Sequence, residues 1–246
     1  MGKVLAFAYG LVCYAIFLVS FLYAIGFVGD FIVPKAIDDG PSENLVATLV
    51  IDALLLGVFA VQHSVMARPA FKALWTRIVP RPVERSTYVL FSSLALLLIY
   101  WQWRPLAEPV IWNAAASWLV EALWAVFALG WLTVLTSTFL INHFDLFGLR
   151  QVWTYIRNGE TPPPDFRTPL FYRVVRHPIY LGFAIAFFAS PRMTLGHLAF
   201  AIATTAYMLI AIQFEEHDLI AVFGDRYRRY RQTVSMFVPW PPRKGA

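Results

Sequence analysis

Two charged pairs stand where apolar runs begin or end. Arg176 and His177 open the stretch RHPIYLG, residues 176–182, and Glu215 and Glu216 close a run that ends at Phe214. A carboxylate at a membrane boundary is costly and is normally kept for a partner, an ion or a ligand. Pro178 suits the first turn of a helix, and the free N–H groups and positive dipole end of such a turn can hold a carboxylate or phosphate. Successive helical residues point about 100° apart, so the two glutamates are not expected to face one group. One would take a hydroxyl or amino group while the other pairs with arginine. Taken singly, each pair also has a plainer account. Arg176 and His177 could snorkel to lipid headgroups, and the glutamates could answer Arg226, Arg228 or Arg229.

The elements that must position these residues are membrane spans. The chain has 246 residues, 59% hydrophobic and 14% charged, against roughly 25% charged in ordinary globular domains. Apolar runs lie at about 4–28, 45–66, 88–103, 114–141, 179–189 and 195–214, and most approach the length of about 20 residues that crosses a bilayer. Run 179–189 reaches only about half way at about 1.5 Å per residue. It reads as the short arm of a hairpin turning at Ser190, Pro191 and Arg192. Residues 67–87 interleave Arg and Lys with Phe71, Leu74, Trp75 and Ile78, as an interfacial helix ended by Pro80 and Pro82 does. The fold expected is all-α: a polytopic transmembrane helical bundle of five long or medium spans plus a short helix in a C-terminal hairpin, with interfacial cytoplasmic helices. One domain should cover 1–246, with no repeat.

Lys and Arg set the expected orientation. With the N-terminus in the cytoplasm, inner segments hold 17 of the 20 basic residues, leaving Lys35, Arg104 and Arg192 outside. The net charge of +5 is thus mostly topology and calls for no nucleic acid. The loop at 29–43 reads as plain solvated connection. One cysteine, Cys13, and five histidines without an HxxH or HxxxH pair argue against a metal. His63, after Gln62, reads as a satisfied interfacial histidine. Asp52 and Glu121 are expected to face the bundle interior. No two glycines stand two apart, so the glycine-rich loop of soluble dinucleotide-binding enzymes is absent.

RHPIYLG and EEHDLIAVFGDRYRRYRQTV, with Pro239 following, together resemble the membrane methyltransferase superfamily that contains isoprenylcysteine carboxyl methyltransferase and phospholipid methyltransferases. The likeness covers about the last 70 residues. AVQHSVMARPAFKALW, VERSTYVLF and INHFDLFGLRQVW are similar to a bacterial inner-membrane branch that acts on a small thiol. The resemblance implies that residues 170–240 bind S-adenosylmethionine. Arg176, His177, Tyr180, Leu181 and Gly182 would line one side, with Glu215, Glu216 and Tyr227 closing the other. It further implies transfer of the methyl to methanethiol, giving dimethyl sulfide and S-adenosylhomocysteine, without a metal, in a bacterial inner membrane. Partners would be the thiol and the bilayer.

A thiol attacks as its thiolate, and lowering an alkyl thiol's pKa by about two units needs about 2.7 kcal/mol of differential stabilisation. Asn142, His143 and Asp145 are the candidates for that work, with His143 taking or orienting the thiol proton and Asp145 fixing the imidazole tautomer. Alternatively Asn142 and His143 cap a span while Asp145 pairs with Arg150. Other readings also stand at this point: a prenylated cysteine carboxylate or lipid headgroup as acceptor, a sterol-type reductase using a nicotinamide cofactor, or a non-enzymatic membrane protein of the kind associated with nitric oxide metabolism.

Overall fold

The structure, a computed structural model, describes residues 2–41, 44–159 and 165–239. Five of its helices are long and apolar enough to cross a membrane: α1 (Lys3–Gly29), α2 (Leu45–Ala67), α4 (Arg81–Gln102), α5 (Ser117–Ile141) and α9 (Leu195–Phe223). Between and after them come α3 (Pro69–Trp75), α6 (His143–Leu146), α7 (Leu149–Ile156), the eleven-residue α8 (Pro178–Phe188) and α10 (Asp225–Thr233). The chain is a multi-pass membrane protein with the all-α architecture its apolar runs imply.

Local sequence accounts for several of the boundaries. Asn44 caps α2 by accepting from the N–H groups of Val46 and Ala47 at 3.0 and 3.2 Å. Pro69, Pro82 and Pro178 stand in the first turns of α3, α4 and α8, where a missing N–H costs nothing. The interfacial helix expected to run up to Pro80 stops at Trp75 instead, and Pro82 opens the third span rather than ending the segment before it.

The chain divides into two compact units. The first comprises residues 1–109, 142–163 and 194–197. Here α1 and α2 pack on α4, and α7 lies against α1 and α4. Ala6, Val83 and Val152 form one buried cluster. Gly148, at φ 86°, starts α7 in a left-handed conformation and sits against α4, where an added Cβ would stand 2.6 Å from Ser86 Oγ. The 29–43 loop is not plain connection. Ala36 and Ile37 are buried, Trp103 Nε1 donates to the Ile37 carbonyl at 3.1 Å, and Thr194 Oγ1 donates to Asp38 at 2.7 Å. Asp52 is buried as expected, and accepts from the Arg104 N–H at 2.9 Å.

The second unit comprises residues 110–141, 164–193 and 198–246. It is built on α5 and α8, whose backbones approach closely because both carry glycine at the crossing. A Cβ on Gly182 would lie 2.7 Å from the Gly130 carbonyl oxygen and 2.8 Å from Val134 Cγ2. The turn at 190–192 leads into a short strand, β2 (Arg192–Thr194), paired with β1 (Val110–Asn113), which apolar periodicity did not reveal. Glu121 is exposed, contrary to the expected interior position. The tail returns to the start of α8: Val175 bridges to Ser235, and the N–H groups of Arg176 and His177 donate to the Ser235 and Met236 carbonyls at 2.8 and 3.2 Å.

Candidate functional site

In the second unit the first turn of α8, the end of α9 and α10 meet around Glu216. Arg176 Nε donates to Glu216 Oε1 at 2.6 Å, His177 Nε2 stands 3.1 Å from the same oxygen, and the Tyr227 hydroxyl donates to it at 3.3 Å. Arg231 Nε lies 3.0 Å from Oε2. Arg176 also donates to the Arg231 carbonyl at 3.2 Å and to the Val234 carbonyl. The side chains of Arg176 and Glu216 are 9% and 3% exposed. A buried carboxylate so surrounded satisfies its charge and its lone pairs within the fold, as burial demands.

Glu215 differs. Its side chain is 42% exposed, and one oxygen accepts from the Tyr180 hydroxyl at 2.9 Å and lies 3.7 Å from His177 Nδ1. The imidazole thus spans both glutamates with its two nitrogens, although neighbouring helical positions were not expected to meet one group. The Tyr180 ring stacks on His177 with centroids 5.7 Å apart. Leu181 is half-buried beside them, whereas Gly182 is spent on the α5 contact rather than on lining the cluster.

The basic partners are also not those named from sequence. Arg228 pairs with Asp225, and Arg226 lies over the Phe166 ring. Arg231 was missed. Tyr227, Tyr230 and Arg231 stand three and four apart on α10 and so share a face, which is the signal that would have pointed to it. Burial, reinforced by Glu216 and Glu215, raises the Tyr227 phenol above its ordinary value, and burial pushes Tyr230 up to about 12. Both are neutral donors near pH 7. Phe166 packs edge-on against Tyr227 and Tyr230.

In the first unit His143 is 5% exposed at the start of α6. Its Nε2 lies 2.8 Å from the Tyr14 hydroxyl of α1. Rings of Phe147, Phe144 and Phe17 surround the imidazole, with centroids 4.8, 5.4 and 6.4 Å away. Burial lowers the His143 pKa, so the imidazole stays neutral below the usual histidine range. Asp145 does not take the tautomer-fixing position expected of it. Its carboxylate accepts from Gln151 Nε2 at 2.9 Å and lies 4.0 Å from Arg150. Asn142 precedes α6, its carbonyl accepting from the Asp145 and Leu146 N–H groups while its side chain makes no cap bond. His63 is a satisfied histidine, against Tyr88, Ser92 and the Phe59 ring. Among the described residues no group of three or more His, Cys, Asp or Glu could hold a metal ion.

Spans and cluster together describe a multi-pass membrane protein with a polar site assembled at the ends of its last helices. No family model matches the chain, and no solved structure does. Among curated proteins, the methanethiol S-methyltransferase of Mycobacterium tuberculosis is 56% identical over 243 residues, 99% of each chain. That of Crocosphaera subtropica is 52% identical over 245 residues, 100% of this chain and 96% of the relative. Nurim of Mus musculus is 30% identical over 186 residues, 72% and 70% of the two chains, which fits the wider superfamily. The chain is a membrane methyltransferase and belongs to the methanethiol S-methyltransferase family.

Proposed function

We propose that the protein moves the methyl of S-adenosylmethionine to methanethiol, giving dimethyl sulfide and S-adenosylhomocysteine. The observation that carries this reading is the convergence of Arg176, His177, Tyr180, Glu215, Glu216 and Tyr227, from segments up to 51 residues apart, on one cluster. The family's substrate, named in its relatives, supplies the acceptor.

The donor set fits that cofactor. Glu215, partly exposed, offers an acceptor for ribose hydroxyls or an amino group. Tyr180 offers an aromatic face to a cation. The first turn of α8 offers N–H donors to a carboxylate, and Arg176, held by Glu216, adds positive charge behind it. Glu216 serves these groups from behind, since its oxygens already hold Arg176, His177, Arg231 and Tyr227. Leu181 would pack beside the ligand. When bound, S-adenosylmethionine supplies an electrophilic methyl on a sulfonium. Residues 170–240 then form the cofactor-binding part of a single functional domain.

The chain's own contribution to the acceptor is to prepare a thiolate. His143, neutral and buried among rings, accepts the proton; the sulfur it leaves anionic is the nucleophile. General-base help of this kind is worth about 10²–10⁴ in rate. A small apolar thiol partitions into a bilayer, which suits an enzyme built in one. The distribution of basic residues supports cytoplasmic termini, and the bacterial relatives together with the apolar spans support a bacterial membrane.

Headspace gas chromatography over detergent-purified protein, given S-adenosylmethionine and methanethiol, should detect dimethyl sulfide. Failure to do so, with methyl ester formed on a prenylated cysteine instead, would replace the acceptor.

A further inference from the structure

The strongest unused feature is the Tyr14 hydroxyl. It comes from the middle of an apolar span, 129 residues from His143 in sequence, and meets the imidazole Nε2 at 2.8 Å. In the Nδ1–H tautomer of the neutral imidazole the phenol donates its hydrogen and Nε2 accepts it. His143 is 5% exposed, whereas Tyr14 is half-buried. Phe17, Phe144 and Phe147 close round the imidazole, and Phe17 and Phe147 stack with centroids 3.7 Å apart. Tyr14 is thus the more exposed of the two, and the sulfur of a small thiol is suited to the aromatic edges around them.

We propose that Tyr14 is a catalytic residue, the relay through which the acceptor thiol's proton passes to His143. The thiol S–H bond breaks and its proton joins Tyr14 Oη, while the hydrogen on Oη passes to His143 Nε2. The sulfur keeps the electron pair of the broken bond. The products are a thiolate, a neutral tyrosine and an imidazolium. The inference rests on the reading of His143 as proton acceptor for a thiol.

Tyr14→Phe keeps the ring and deletes the relay, so full-length variant and parent are compared in detergent with a series of thiols of falling pKa. With methanethiol the variant should lose about 10²-fold in kcat. The loss should shrink toward none for aryl thiols that are already ionised. A packing role would penalise every thiol alike, and that result, or no loss at all, would overturn the relay. Nitrogen NMR of His143 gives a readout without turnover: the Nε2 resonance should show an accepted hydrogen bond in the parent that Tyr14→Phe removes, and an unchanged resonance also overturns it. His143→Gln separates the two levels. If that variant turns methanethiol over at the parental rate, the base reading itself falls. If it is slow while Tyr14→Phe is penalised equally for all thiols, only the relay falls.

Discussion

The two candidate centres are held in opposite ways. Around Glu216 the fold is tied by charge: a buried carboxylate meets two arginines, an imidazole and a phenol, and the tail closes over it by backbone bonds to Arg176 and His177. Around His143 it is tied by shape, with an imidazole packed among aromatic rings and a tyrosine hydroxyl at its Nε2. The first arrangement suits holding a charged ligand in a fixed pose, because its members are ordered before anything binds. The second suits moving a proton, because a neutral base in an apolar setting is poised to accept one. The contrast also says where each centre is vulnerable. Removing a charge should unmake the first, whereas removing a hydrogen-bonding atom should disable the second without unfolding it.

The largest effect is expected at Glu216. Glu216→Ala leaves Arg176 and Arg231 without their carboxylate, and breaking a buried pair typically costs about 3–5 kcal/mol. Thermal unfolding in detergent should show that loss, and titration with S-adenosylmethionine should show no binding. Retained affinity would remove Glu216 from the site. Glu216→Gln, keeping the shape, should fall between variant and parent in both measurements.

The next effect sharpens the other side of the comparison. His143→Ala should leave S-adenosylmethionine affinity at the parental value while kcat falls about 10²-fold or more. An unchanged kcat would return His143 to packing alone. The parent's pH profile gives the sign independently. Burial lowers the His143 pKa in the fold, so the active neutral form persists below the ordinary histidine value of about 6.5 and kcat declines only at lower pH. Stability follows the same direction. The unfolded chain binds the proton first, so the stabilising contribution is whole above about pH 6.5 and is lost as pH falls toward the folded pKa. The titratable and charged groups to weigh here are Tyr14 of α1, Asp145 of α6, Arg150 of α7, and Arg85 of α4, whose Nε donates to the Leu146 carbonyl.

The difference between the centres also explains what the sequence made visible. Arg176, His177, Glu215 and Glu216 stand out because charge at the edge of an apolar run is expensive and therefore informative. So do the spans and the short arm of α8, which are properties of contiguous residues. Arg231 did not stand out, being one basic residue in a basic tail; only the fold chooses it over Arg226, Arg228 and Arg229. Tyr14 is still less legible, since a tyrosine inside a 27-residue apolar helix looks like any other packed ring until α6 is brought beside it. The resemblance names Gly182 as lining the cofactor, but its close approach to Gly130 was not legible, because that partner lies on another span. The pairing of β1 with β2 and the burial of Ile37 are likewise long-range choices that no local pattern encodes.

Calorimetric titration of the purified full-length protein with S-adenosylmethionine, set beside NADPH, tests the central claim most directly. Saturable binding of S-adenosylmethionine, lost in Glu216→Ala, with no heat from NADPH, is the expected result. Binding of NADPH, or no binding of S-adenosylmethionine by a folded protein, would contradict the assignment of the charged cluster to a methyl donor.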